Sequence, residues 1–159
     1  MPDVDRSSVA EPTESAQGPG GRGKPFDLWV ETGKIREFAW ATGTKDPAYA
    51  EAQPISPPTY LMAANFWQTA ENAPWGDTPP NFRRLLHGEQ EFVFHGPPPR
   101  AGDHLVGEVR IDNRYSKPGK RGGMMIFIET VTEYRNAATQ QLVAEVRATL
   151  IETSKAAAA

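Results

Sequence analysis

A chain of 159 residues is long enough for one domain around one core, and a formal net charge of −3 argues against a general nucleic-acid binder, which carries a basic face. With no cysteine it forms neither a disulfide nor a thiolate metal site, in keeping with a reducing cytoplasm. No apolar run reaches membrane-spanning length and the first residues lack the apolar stretch of a secretion signal, so a cytoplasmic protein without membrane contact is expected.

Residues 1–24 are rich in Ser, Pro, Gly, Glu and Asp and bury too little apolar surface to offset their ordering entropy, which predicts a disordered tail. Residues 155–159 read as a frayed C-terminus, leaving one folded unit over 25–154. In 33–42, Ile35, Phe38, Ala39 and Thr42 recur at helical spacing and Gly43 offers a stop. A Pro-rich irregular stretch over 46–58 follows. Pro58 and Thr59 then open a second helix to about residue 70. Its residues Tyr60, Leu61, Ala63, Ala64, Phe66 and Trp67 make it apolar nearly all round, which marks a helix enclosed by protein.

From residue 86 onward the period falls to two. In 86–94, Leu86, Phe92 and Phe94 share a face opposite His87, Glu89, Glu91 and His95. In 104–115, Leu105, Val109, Ile111 and Tyr115 share one face, with Glu108, Arg110, Asp112 and Arg114 on the other. Segments 124–134 and 142–150 alternate in the same way, with Gly-rich turns between them. An apolar helix followed by an antiparallel meander packs best with the sheet wrapped around the helix, an α+β hot-dog fold.

Three segments carry a resemblance. Gly43-Thr44-Lys45-Asp46-Pro47-Ala48-Tyr49 resembles the Gly-Asp-x-Asn-Pro-x-His signature of MaoC-like enoyl-thioester hydratases. Pro57-Pro58-Thr59-Tyr60 resembles the opening of the central helix of that fold. The stretch from Leu86 to Pro97, with Ala101-Gly102-Asp103, is similar to the first long strand and turn of the FAS1-like dehydratases and HadA-type subunits of the same superfamily.

The resemblance implies two hot-dog protomers joined in one sheet and an acyl-CoA or acyl-ACP thioester in a tunnel between them. An Asp and a His activate the water that adds across a trans-2-enoyl thioester, or assist the reverse dehydration, with no cofactor or metal. In this chain Thr44 stands at the Asp position and Tyr49 at the His position. Threonine is no carboxylate base, and an ordinary tyrosine titrates near pH ~10.

Asp46, two residues from the family position, is the alternative acid/base with Tyr49, or else forms a turn with Pro47. Thr44, Pro58, Thr59 and Tyr60 are the implied substrate contacts. Lys117, Lys120 and Arg121 on a hairpin are either contacts to carrier phosphates or ordinary surface charges. His87, His95 and His104 read as surface or interface histidines. Trp75 and Phe82, in the loop after the second helix, are placed to roof a bulky substrate.

The leading expectation is a hydratase/dehydratase subunit that pairs, as a heterodimer or heterotetramer, with a catalytic MaoC-like chain, or else forms a homodimer. Acting on long-chain acyl or steroid side-chain thioesters would place it in lipid metabolism. The other expectation is a noncatalytic acyl-thioester-binding or scaffold protein.

Overall fold

A computed structural model of the protein describes residues 15–16, 20–120 and 123–154. Strand β1 (Ser15–Ala16) and strand β2 (Phe26–Trp29) both lie against the same edge of the sheet. Helix α1 (Thr32–Ala41) buries Ile35 and Ala39, the two apolar positions four apart. It ends in a Schellman arrangement, with Gly43 N–H on the Trp40 carbonyl at 3.0 Å and Thr44 N–H on the Ala39 carbonyl at 3.1 Å. Gly43, at φ +74°, supplies the left-handed residue this requires.

The predicted second helix is shorter and tighter than expected. Residues Tyr60–Phe66 form a 3-10 helix, bonded from Tyr60 N–H to the Pro57 carbonyl and from Met62 N–H to the Thr59 carbonyl. It stops because polar side chains compete for the backbone. The Asn72 carboxamide accepts from Thr69 N–H at 2.8 Å and starts a separate turn, Ala70–Asn72. Tyr60, Leu61, Ala63 and Ala64 are buried, as an enclosed helix demands.

Four long strands follow: β3 (Leu85–Phe94), β4 (His104–Pro118), β5 (Met124–Asn136) and β6 (Leu142–Glu152). They form an antiparallel sheet in the order β4–β5–β6–β3, with β1 and β2 on the outer edge of β4. The concave side holds the core: Leu105, Val109, Tyr134, Ala144 and Val146 close on Tyr60, Leu61 and Ile35. Tyr134 fastens the helix to the sheet, because its buried hydroxyl donates to the Leu61 carbonyl at 3.2 Å. Gly107 leaves room for the Phe26 ring, which a Cβ there would strike; that ring meets Tyr134 edge-on at 6.0 Å. This is the sheet wrapped on a helical segment that the α+β hot-dog reading expects.

Two bulges break the period of two. One lies between Ile111 and Asn113, so Arg114 turns to the concave side opposite Ile128, and Tyr115 faces outward onto Phe127. The other lies at Gly88, and it brings His87 to the same side as Gln90, Phe92 and Phe94. Both reverse the side expected from simple alternation.

Residues 20–24, assigned to the tail by composition, run along β4 as a strap. Gly23 N–H donates to the Val109 carbonyl at 2.9 Å, and Lys24 N–H to the Glu71 carbonyl at 2.8 Å. A Cβ on Gly21 or Gly23 would overlap the Pro74 or Asn72 carbonyl oxygen. Glycine is what lets the strap lie flush under the loop after the central helix.

Candidate functional site

A cavity of about 490 Å³ lies between the central helix, the concave face of the sheet and the loop following the helix. That size is ordinary for a small-molecule site. Trp75 and Phe82 stand in its wall edge-to-face at 6.4 Å, so the loop takes the roofing place its aromatic residues suggested. The helix contributes Met62 and Asn65, the residues just after it contribute Gln68, and the sheet supplies an apolar floor of Val109, Val146 and Leu150.

Polar groups interrupt that floor. Gln90, Ala148 and Thr130 lie opposite one another on three neighbouring strands. The Gln90 amide donates to the Arg147 carbonyl at 2.7 Å. Thr130 is buried, and its hydroxyl reaches the Ala148 carbonyl only at 3.5 Å. His87, exposed, is the one titratable side chain lining the cavity among the described residues. The isolated Gly88 inside a strand pattern was the sequence signal for the bulge that puts it there. The period of two puts Gln90 in the row of Phe92 and Phe94 and Thr130 in the row of Ile128 and Tyr134, polar residues on otherwise apolar faces.

Strand β3, which ends the sheet, supplies Leu85, Leu86, His87 and Gln90 to the cavity wall. Phe82 and Leu86 in its walls stay 64% and 47% exposed, and Phe66, at the end of the helix, is 89% exposed.

The signature segment sits elsewhere. Thr44, Asp46 and Tyr49 line a shallow recess of about 230 Å³ with Arg36 and Trp40, and it shares no lining residue with the large cavity. Asp46 caps the short turn Pro47–Tyr49, its carboxylate accepting from Ala48 N–H at 2.9 Å, while Asp46 N–H donates to the Thr44 hydroxyl at 3.3 Å. Tyr49 packs half-buried against the core.

Pro58 and Thr59 are exposed where the central helix begins. Tyr60 is fully buried, its ring edge-on to Phe38 at 5.7 Å, and burial holds its hydroxyl above the usual tyrosine range. Lys117 lies 4.8 Å over the Tyr115 ring, which stacks on Phe127 at 5.1 Å. Lys120 is exposed at the hairpin tip, and Arg121 lies outside the described residues. His95 pairs with Glu145 at 2.9 Å and His104 with Asp27 at 2.7 Å, both toward the surface. Among the described residues no group of three His, Asp or Glu gathers as a metal site would, and no helix is long and apolar enough to cross a membrane.

Comparison with known proteins adds the following. The profile of the FAS1-like dehydratase-domain region matches residues 18–145. A UPF0336 protein of Streptomyces avermitilis is 33% identical over 104 residues, 60% of this chain and 67% of that protein. Two further Streptomyces relatives match over 59% and 54% of their own lengths. The C-terminally truncated HadBC (3R-hydroxyacyl-ACP dehydratase) complex from Mycobacterium tuberculosis has a chain that superposes with a TM-score of 0.64 at 24% identity, over 82% of this chain and 93% of that one. A chain of the ChsH1–ChsH2 complex from the same organism gives 0.65 at 16% identity, over 87% of each. At such identities the likeness is one of fold, the hot-dog.

Proposed function

The chain belongs to the FAS1-like dehydratase-region family, and from that premise we propose that it is a subunit of an enoyl-thioester hydratase or 3-hydroxyacyl-thioester dehydratase whose Asp/His pair comes from a second hot-dog chain. Its substrate is an acyl-CoA or acyl-ACP thioester. This chain supplies a wall of the acyl cavity, and its partner closes the open side along β3. The observation that carries the reading is a cavity of about 490 Å³ walled in part by β3, the last strand of the sheet, with Phe82 and Leu86 exposed at its walls. That two of the superposing structures are complexes of named pairs of chains supports a heteromeric assembly.

The missing pair supports it too. With Thr44 and Tyr49 at the family positions and Asp46 committed to a turn, this chain has no carboxylate–imidazole couple in the signature segment. The exposed start of the central helix at Pro58 and Thr59 lies where the family polarises the thioester oxygen, and Lys120 and Arg121 are then contacts to the carrier's phosphates.

The test is hydration of a medium-chain trans-2-enoyl-CoA by the purified chain alone and with a hot-dog chain that carries an intact Gly-Asp-x-Asn-Pro-x-His run. Turnover only in the mixture is the expected result. Turnover by the chain alone, abolished by Asp46→Ala, overturns the partner reading and puts the chemistry on this chain. Tight thioester binding with no turnover in either case favours the noncatalytic binding protein.

A further inference from the structure

The cavity's lining is mixed in a way that a plain hydrocarbon does not use. Gln90 spends its amide N–H on the Arg147 carbonyl, which leaves its carbonyl oxygen without a partner. The Thr130 hydroxyl has only a contact at the outer limit of hydrogen-bond length. Between these two stands Ala148, whose methyl group leaves a hollow in the floor. Gln90 and Thr130 are two strands apart, about 10 Å across the sheet, so a substituent over Ala148 is within reach of both side chains. Asn65 at the end of the helix and Gln68 just beyond it, joined by one bond at 3.2 Å, line the same space. An alkyl chain filling this space would strip water from these groups and return nothing.

Resting on the acyl-thioester reading above, we infer that the cavity takes an acyl tail bearing a hydroxyl group, held over Ala148 between Gln90 and Thr130. The alcohol donates to the Gln90 carbonyl oxygen and accepts from the Thr130 hydroxyl, so each of the three groups gains a partner. A ketone satisfies Thr130 only and is the weaker ligand. This oxygen is a second one, carried on the tail beyond the reacting carbon, whose chemistry belongs to the partner's Asp/His pair. A site built to bond a substrate hydroxyl rejects the analogue that lacks it far more strongly than an apolar pocket rejects an extra methylene.

The experiment measures binding to the full chain of dodecanoyl-CoA and of a series of hydroxydodecanoyl-CoAs that differ in hydroxyl position along the tail, by calorimetry, with the chain alone and with its hot-dog partner. One position is expected to bind at least about tenfold tighter than the plain chain. Thr130→Val, which keeps the shape, and Gln90→Leu each cut the difference between hydroxylated and plain chains to within about threefold. Equal binding of plain and hydroxylated chains, or a margin that survives both substitutions, overturns the inference and leaves the thioester reading standing. Failure of every probe to bind in both forms overturns the two together.

Discussion

The two faces of the sheet treat polarity in opposite ways. On the convex face Glu108, Glu133 and Glu145 stand directly opposite one another across three strands, a repulsive row left to itself. Each has been given a cation: Arg22 bonds Glu108, Arg135 bonds Glu133 at 2.7 Å, and Glu145 takes both His95 at 2.9 Å and Arg147 at 3.3 Å. The next row holds Arg110, Val131 and Arg147, and the stems of the two arginines cover the buried valine. The concave face around the cavity carries fewer polar atoms, but Gln90, Thr130 and His87 keep bonding capacity unspent. Charge on the convex face is thus matched within that face, while the few polar side chains of the cavity are bonded sparingly.

The comparison breaks most severely if the concave core fails. Tyr134→Ala removes a buried ring and should cost about 3–5 kcal/mol in urea unfolding, whereas Tyr134→Phe, which strands only the Leu61 carbonyl, should cost about 1–3 kcal/mol. Gly23→Val forces the strap off the Asn72 carbonyl and should cost about 1–3 kcal/mol, with faster proteolysis ahead of global unfolding. Asp46→Ala should cost about 1 kcal/mol through the lost cap and leave turnover of the assembled enzyme intact. A stable variant with no turnover would move Asp46 from structure to chemistry.

The convex face should respond least. Glu133→Gln gives up a pair with Arg135 and relieves a like-charge row, so the change should stay within about 0.5 kcal/mol. Its contribution is sharper in acid. The His95 hydrogen bond, ahead of the Arg147 charge, holds the Glu145 carboxyl below the usual carboxylate range. A folded-state pKa below the unfolded one gives stability that is present above the ordinary glutamate range and lost as pH falls toward the depressed value. Wild type and Glu145→Gln should therefore converge in stability as the medium is acidified.

The long strands were legible because each buries one face, so the period of two survives over ten or more residues. Strands β1 and β2 were not, because two or four residues carry no usable period. The central segment read as a long helix because Tyr60 to Trp67 is apolar all round; the bonds from Thr69 and Asn72 that end it are side-chain events with no periodic mark. The bulges cost most at the candidate site. One extra residue at Gly88 turned His87 into the cavity and one before Asn113 turned Tyr115 out of it, and both changes invert a face without altering the composition of the strand.

The strap also sets an order in time. Arg22 meets Glu108, 86 positions further along the chain. During synthesis the strap is made first and then waits roughly 4–17 s for the strand that receives it. Before β4 exists, the strap holds the loop carrying Pro74 and Trp75 through Lys24, Glu71 and Asn72, and the cavity floor of Val146 and Leu150 is made later still. The roof is therefore made before the floor beneath it, and the cavity closes only when β6 joins the sheet.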